Sequence, residues 1–168
     1  YFDAADPARW VSSSSTHGPA AGHVFLIGFP RSGTTLLEVI LEGHPDIVTL
    51  EERELFLESA LRYMGEVSDL DTLATATEDE LDRVRAAYWA AARSCGVNPE
   101  GKIFVDKYPL NILKLPLIAR LFPNARILLA RRDPRDVVLS CFRRRFLMSA
   151  PLYELLTLSG GARFYALV

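Results

Sequence analysis

The chain has 168 residues, of which 49% are hydrophobic and 24% are charged, and its formal net charge is −2. These proportions suit one globular domain with a proper core, and no apolar run approaches the roughly 20 residues that span a membrane. Cys95 and Cys141 lack the spacing of a metal site, and each lies in an apolar helical pattern, so we expect two buried free thiols. Because these residues show no signal peptide, we expect a cytoplasmic location.

The small net charge hides an uneven distribution of charge along the chain. Residues 120–145 contain eight arginines but only two aspartates, so the rest of the chain is acidic. A basic segment of this kind implies an anionic ligand.

Residues 1–22 are expected to precede the domain. They include the polar stretch VSSSSTHGPAAG, whose Ser, Gly and Pro content is typical of a linker. We place the domain at residues 23–168 and expect it to be truncated at its C-terminus, because the chain stops inside the apolar run FYALV. His17 and His23 are assigned no role.

The segment HVFLIGFPRSGTTLLEVILEG, residues 23–43, predicts a strand, a loop and a helix. Such a loop directs backbone N–H groups and the positive end of the helix dipole at one point, which makes an anion site. Ser32, Thr34 and Thr35 add hydroxyl donors, so a phosphate-like group is the expected ligand. We expect the helix to be largely buried, with Glu38 and Glu42 forming its polar strip.

The loop differs from the P-loop of ATP-binding proteins at one decisive position. Gly28, Gly33 and Thr35 match that pattern, but Thr34 replaces the lysine that reaches the β- and γ-phosphates. The loop's cation is instead Arg31, whose planar guanidinium suits a phosphate or a sulfate. The alternative is a simple turn between a core strand and a core helix.

These residues resemble the P-loop sulfotransferase superfamily. FLIGFPRSGTTLLEVILEGHPDI followed by EE is similar to the segment that holds the 5′-phosphosulfate of PAPS, 3′-phosphoadenosine 5′-phosphosulfate. The resemblance runs from about residue 23 to residue 146. It is closest to the protein-tyrosine sulfotransferases and to bacterial sulfotransferase domains that follow tetratricopeptide repeats. It implies that Arg31, Ser32, Gly33, Thr34 and Thr35 contact the donor.

The acidic pair Glu51-Glu52 follows a possible strand at 47–50 and is expected to open a helix. Its carboxylates could simply favour a helix N-terminus, or one could be a general base, and position alone does not separate the two. The resemblance favours a base and places it at Glu52.

A capping box at Thr77 and Glu80 begins a helix that runs to Gly96. Tyr88 and Trp89 could line an acceptor pocket, but core packing is the favoured interpretation.

Lys107 follows a predicted strand at 102–105, at the edge where open α/β sheets bind ligands. Spacing alone also allows a solvated loop lysine. In the family that the chain resembles, the lysine of Asp-Lys-x-Pro contacts the transferring sulfonate, which implies this role for Lys107.

A third strand at 126–131 leads to Asp133-Pro134, which caps a helix. Arg132 lies at the strand end, and Ser140 and Arg144 share one helix face. The alternative is a basic helix that is exposed to solvent and binds no ligand. The resemblance implies that Arg132, Ser140 and Arg144 bind the 3′-phosphate of the donor.

The predicted fold is an α/β, three-layer, P-loop NTPase-like sandwich with a mainly parallel central sheet flanked by helices. Right-handed crossovers should bring Arg31, Glu52, Lys107 and Arg132 to one edge of the sheet.

The predicted function is transfer of a sulfonate from PAPS to a hydroxyl acceptor, with Glu52, Lys107 and Arg31 as catalytic residues and no metal. The acceptor can be a protein tyrosine, a glycan or a small molecule; no nucleic acid partner and no membrane span are expected, and the oligomeric state is left open. The alternatives are a nucleotide or small-molecule kinase with a degenerate P-loop, or a non-catalytic nucleotide-binding domain.

Overall fold

The computed structural model describes residues 7–10, 18–66, 68–144, 146 and 150–168. One or more helices follow each strand, in the order β1 Gly22–Gly28, α1 Thr34–Glu42, β2 Ile47–Glu51, α2 Leu57–Tyr63, α3 Asp69–Thr75, α4 Glu78–Ser94, β3 Ile103–Lys107, α5 Leu115–Leu121, β4 Arg126–Ala130, α6 Pro134–Phe142 and α7 Leu158–Leu167. Short 3₁₀ helices form at Pro7–Trp10, Pro109–Lys114 and Ala150–Leu156.

The strands form one parallel sheet in the order β2-β3-β1-β4. The register places Lys107 of β3 beside Leu26 of β1 and Glu51 of β2, and it places Gly28 beside Ala130 of β4. Because the strands are parallel, their carboxyl ends meet at one edge, where such sheets bind ligands. The predicted α/β fold with a parallel central sheet is confirmed.

Alternation along the strands divides the core between the two faces of the sheet. Phe25 and Ile27 point to the larger cluster. This cluster is completed by Phe56, which precedes α2, and by residues of α2 to α5 such as Tyr63, Leu73, Leu81, Tyr88, Leu117 and Leu121. Leu26 points to the other face, where Leu37 and Leu41 of α1 pack. The sheet is therefore covered by helices on both faces.

Helix α4 matches its prediction closely. Thr77 accepts a hydrogen bond from the backbone of Glu80, and the Glu80 carboxylate accepts one from the backbone of Thr77, which completes the capping box. Tyr88 and Trp89 are only 2% and 6% exposed. They are core residues, so the favoured interpretation of this aromatic pair is confirmed.

Three hydrogen-bonded polar side chains, of which Tyr88 and Asp106 are buried, lie on the α4 side of the sheet. The Tyr88 hydroxyl donates a hydrogen bond of 2.9 Å to Oδ2 of Asp106, and Nε2 of His23 lies 2.9 Å from the same hydroxyl. Since the hydroxyl hydrogen is used for Asp106, Nε2 of His23 is the donor to Tyr88. Burial lowers the pKa of His23 to about 3, so the ring is neutral. His23, to which the sequence assigned no role, is thus half-buried and packs against the core.

Helix α1 is oriented differently from the expectation of a largely buried helix. Leu36, Val39 and Ile40 are 61–67% exposed, whereas Glu38 is buried. The helix begins directly after the loop, and this start turns Glu38 toward Lys107 of β3. The prediction of a largely buried helix is therefore wrong, and Glu38 and Glu42 do not form one polar strip, since Glu38 is buried and Glu42 is exposed.

The two cysteines differ in exposure. Cys141 is buried as expected, but Cys95 lies at the C-terminal end of α4 and is exposed, so the expectation of a second buried thiol is wrong.

Among the helices of the described ranges, none has both the length and the apolar character that crossing a membrane requires.

Candidate active site

The loop at residues 29–33 leaves β1 where backbone crowding requires glycine. A Cβ on Gly28 would lie 2.6 Å from the carbonyl oxygen of Ala130 and 2.7 Å from Oγ of Ser32. Further along, Arg31 and Gly33 have φ values of +72° and +99°. A left-handed arginine is strained and is held only when surrounding contacts impose it, which is common at functional sites.

The start of α1 is open to a ligand. Gly33 is its N-cap residue, and no side chain in the described part of the chain caps the helix there. The first N–H groups of a helix need a partner, and with the helix dipole they favour an anion. The N-terminus of α1 therefore fits the predicted phosphate or sulfate group.

Helix α6 holds the loop from one side. The thiol of Cys141 donates a hydrogen bond of 3.3 Å to the carbonyl oxygen of Pro30, and Nε of Arg31 donates one of 3.2 Å to Oγ of Ser140. Burial raises the pKa of Cys141 to about 11, so the thiol keeps the hydrogen that it donates. These two bonds join the predicted 5′-phosphosulfate loop to the predicted 3′-phosphate segment.

A cleft of about 730 Å³ opens at the carboxyl edge of the sheet. Its wall includes most of the residues that the sequence singled out, namely Arg31, Gly33, Thr34, Thr35, Glu52, Arg132 and Arg144. Apolar side chains complete the wall, among them Leu36, Leu110 and Phe146. The cleft therefore combines a basic region, one carboxylate and an apolar surface.

Three of the candidate residues do not line this cleft. Ser140 reaches it only through Arg31, and Lys107 is fully buried. Ser32 is also buried; it faces a separate cavity of about 280 Å³, and its Oγ has no hydrogen-bond partner among the described residues. A buried hydroxyl without a partner is unusual and is often resolved by a ligand or a water molecule.

Lys107 lies at the centre of three carboxylates. Its Nζ is 3.1 Å from Oε2 of Glu38, 3.1 Å from Oε1 of Glu51 and 3.1 Å from Oε1 of Glu52. Burial alone would lower the pKa of Lys107, but its contacts with the carboxylates of Glu52, Glu38 and Glu51 outweigh burial and raise it. Lys107 is thus a charged, ordered residue, and the interpretation as a solvated loop lysine is wrong.

Glu52 does not start a helix. Strand β2 continues to Glu51, Glu52 has a φ of +45°, and α2 begins only at Leu57. The reason is pairing with β3, because the N–H of Glu52 donates a hydrogen bond of 2.8 Å to the carbonyl oxygen of Lys107. The expected helix at this acidic pair is therefore wrong, and the pair cannot be explained by a helix N-terminus.

Arg132 and Arg144 approach the cleft from different segments. Arg132 follows β4, and its Nη2 is 3.5 Å from Oδ2 of Asp136. Helix α6 ends at Phe142, so Arg144 lies beyond the helix and does not share a helix face with Ser140, contrary to expectation. Both arginines nevertheless line the cleft.

Sequence reasoning missed Glu38 and Tyr108. Tyr108 lines the cleft, and burial together with Glu54 raises its pKa to about 12, so its phenol is neutral at physiological pH. Its position directly after Lys107, at the carboxyl end of β3, could have indicated from the sequence that Tyr108 lies at the cleft. No local signal distinguishes Glu38 from Glu42, because only the packing of α1 buries one of them.

Comparison with known proteins identifies the family. The sequence model of the sulfotransferase family matches residues 23–161. Protein-tyrosine sulfotransferase 1 of Mus musculus is 35% identical over 127 residues, which cover 73% of this chain and 34% of that protein. The nodulation protein NoeE of Sinorhizobium fredii is 34% identical over 127 residues, covering 69% of this chain and 30% of that protein.

A third relative, an uncharacterized protein of Aquifex aeolicus, is 31% identical over 134 residues, which cover 76% of this chain and 18% of that protein. The chain thus spans about a third or less of the length of these relatives. The family match itself covers most of the chain, including the loop, Glu52, Lys107 and the basic segment. By this match and by its fold, the chain belongs to the sulfotransferase family.

Proposed function

We propose that the protein containing this chain transfers a sulfonate group from PAPS to a hydroxyl group of an acceptor. The observation that carries this proposal is the single cleft that joins the loop of Arg31, the uncapped start of α1, the carboxylate of Glu52 and the side chains of Arg132 and Arg144. An anion site, a base and a second basic site in one cleft are what such a transfer requires.

The residues present fit the donor. Arg31, Gly33, Thr34 and Thr35 would hold its phosphosulfate end at the start of α1, with Ser32 in the same loop. Arg132, Arg144 and Ser140 would hold the 3′-phosphate. When bound, PAPS supplies an activated sulfonate whose leaving group is a phosphate.

In the proposed reaction Glu52 accepts the proton of the acceptor hydroxyl as that oxygen bonds to sulfur. Arg31 and the N–H groups at the start of α1 stabilise the charge that remains on the phosphate oxygen when its bond to sulfur breaks. Lys107 is fully buried, so its ammonium group can reach the sulfonate only after a glutamate carboxylate has moved. Apart from this proton transfer, the proposed mechanism relies on positioning and electrostatics, and it uses no metal.

The acceptor class is a separate part of the proposal. Protein tyrosine, glycan and small alcohol all provide the hydroxyl that Glu52 would deprotonate. A screen with labelled PAPS against these three classes would identify the acceptor.

The cytoplasmic location expected from the sequence stays a prediction.

The donor prediction follows from Thr34, which stands where ATP-binding loops have lysine. We expect PAPS and its product adenosine 3′,5′-bisphosphate to raise the melting temperature of the protein in the presence of EDTA. ATP should raise it much less, since the loop lacks the cation for a γ-phosphate. A stronger shift with ATP that requires Mg²⁺ would support the kinase alternative instead.

The 3′-phosphate prediction concerns the basic end of the cleft. We expect adenosine 3′,5′-bisphosphate to bind more tightly than 5′-AMP by roughly one to two decades, because one charge-assisted contact contributes about 1.5–3 kcal/mol. Arg132→Ala should remove most of this preference, as measured by calorimetry. Arg143→Ala is the control, since Arg143 is a neighbouring arginine outside the cleft wall. Equal affinity for both nucleotides in the unmodified protein would refute the assignment.

A further inference from the structure

The positive charge of Lys107 is compensated by three carboxylates that differ greatly in exposure. All three lie 3.1 Å from Nζ, but the side chain of Glu38 is 6% exposed, whereas those of Glu51 and Glu52 are 64% and 53% exposed. Water screens an exposed ion pair strongly and a buried pair weakly. Glu38 is therefore the partner whose attraction for Lys107 is least reduced by solvent.

The carboxylate of Glu38 also has a second neighbour besides Lys107. It projects from α1 onto the face of the sheet where β2 and β3 pair, and Thr49 of β2 is near enough to its carboxylate to favour the charged form. Its burial raises its pKa, while Lys107 and Thr49 oppose this shift by favouring the charged form. A carboxylate with two such partners has a defined position.

Glu38 does not belong to the wall of the cleft. Glu52 does, so of these two carboxylates only Glu52 is placed to meet an acceptor. Any influence of Glu38 on the reaction must therefore pass through Lys107.

The Lys107 ammonium donates hydrogen bonds to Glu51 and Glu52 and forms an ion pair with Glu38 at the same distance. If Glu52 turns to an acceptor, it gives up its bond to Lys107. The lysine would then keep Glu51 and Glu38 as partners, of which only Glu38 is buried. Because an unpaired buried charge is strongly unfavourable, this buried partner becomes the most important one. The buried partner thus keeps Lys107 charged and in place while Glu52 acts.

We propose that Glu38 is a positioning residue, which fixes the ammonium group of Lys107 and frees Glu52 to act as a base. This proposal rests on the proposed sulfonate transfer, but its first consequence, an ordered Lys107, is independent of activity. In Glu38→Gln the shape and an acceptor oxygen are kept but the charge is lost, so only Glu51 and Glu52 would balance the charge of Lys107, and its side chain should lose order.

The test combines NMR and kinetics on Glu38→Gln, with Glu42→Gln as the matched control. Glu42 lies one turn further along α1 and is exposed. The protein is labelled with ¹³C-lysine, and the Cε signal of Lys107 is assigned with Lys107→Met. We expect this signal to show an ordered side chain in the unmodified protein and in Glu42→Gln, and a mobile one in Glu38→Gln. In the complete protein, kcat of Glu38→Gln should fall about tenfold while KM for the donor stays within twofold.

Thr49→Val is the second variant, since it removes only the hydroxyl that favours the charged form of Glu38. It should change the Lys107 signal and kcat in the same direction by smaller amounts. An ordered Lys107 signal with unchanged kcat in both variants would overturn the proposal. A loss of kcat with an ordered Lys107 would also overturn it, because Glu38 would then act by another route. If Lys107 loses order but the unmodified protein transfers no sulfonate to any acceptor, the positioning stands and the proposed function fails.

Discussion

Glu52→Gln should lower turnover by about 10²–10⁴-fold, the usual contribution of a general base. Glutamine keeps the size of the side chain and can still accept a hydrogen bond from Lys107, but it cannot take the proton of the acceptor. The melting temperature and the donor affinity should change little, because the Glu52 side chain is 53% exposed and its ion pair is screened by water. Turnover is measured with labelled PAPS in the complete protein with a competent acceptor.

Glu51→Gln is the control that makes this prediction specific. Glu51 contacts Lys107 at the same distance of 3.1 Å as Glu52, so both substitutions weaken the lysine cluster in the same way. Only Glu52 lines the cleft, so only its substitution should remove the base. If Glu51→Gln lowers turnover severely and Glu52→Gln hardly changes it, the general base is Glu51 and not Glu52. If neither substitution lowers turnover, this mechanism is wrong.

Asp106 should make the protein less stable as the pH rises from about 4 through about 7. The carboxyl group is fully buried, and this burial raises its pKa to about 7, although the hydrogen bond from Tyr88 acts in the opposite direction. A folded-state pKa above the unfolded value of 3.8 means that the folded protein holds this proton more tightly. The resulting stability is complete below pH 4 and is lost as the pH passes through the folded pKa. A shift of about three units corresponds to on the order of 4 kcal/mol.

The measurement is urea unfolding at several pH values between 4 and 8, compared between the unmodified protein and Asp106→Asn. Asparagine can still accept the hydrogen bond from Tyr88 but does not titrate, so the difference between the two curves isolates Asp106. The exposed residue Asp79 provides a control, and Asp79→Asn should keep the pH dependence of the unmodified protein. Parallel curves for the unmodified protein and Asp106→Asn would show that Asp106 keeps an ordinary pKa in the fold.

Local patterns were sufficient for the elements that depend on neighbouring residues. The strand, loop and helix at the start of the domain follow from an apolar run, two glycines and a helical run, and the structure has them as β1, the loop and α1. The capping box at Thr77 likewise defines the start of α4, because both of its hydrogen bonds join residues three apart. Parallel strands carry their ends to one edge, which is why Arg31, Glu52 and Arg132 could be expected to share a cleft.

Pairing between distant segments decided the rest. The sequence alone determined that residues 34–42 form an amphipathic helix, but the tertiary structure decided which side faces the sheet and thus buried Glu38 against Lys107. Likewise, an acidic pair predicts a helix start, yet the hydrogen bond from Glu52 to Lys107 extends β2 and delays α2. Hydrophobic periodicity is a property of one segment, whereas a buried ion pair depends on strand register and helix rotation, which neither segment encodes by itself.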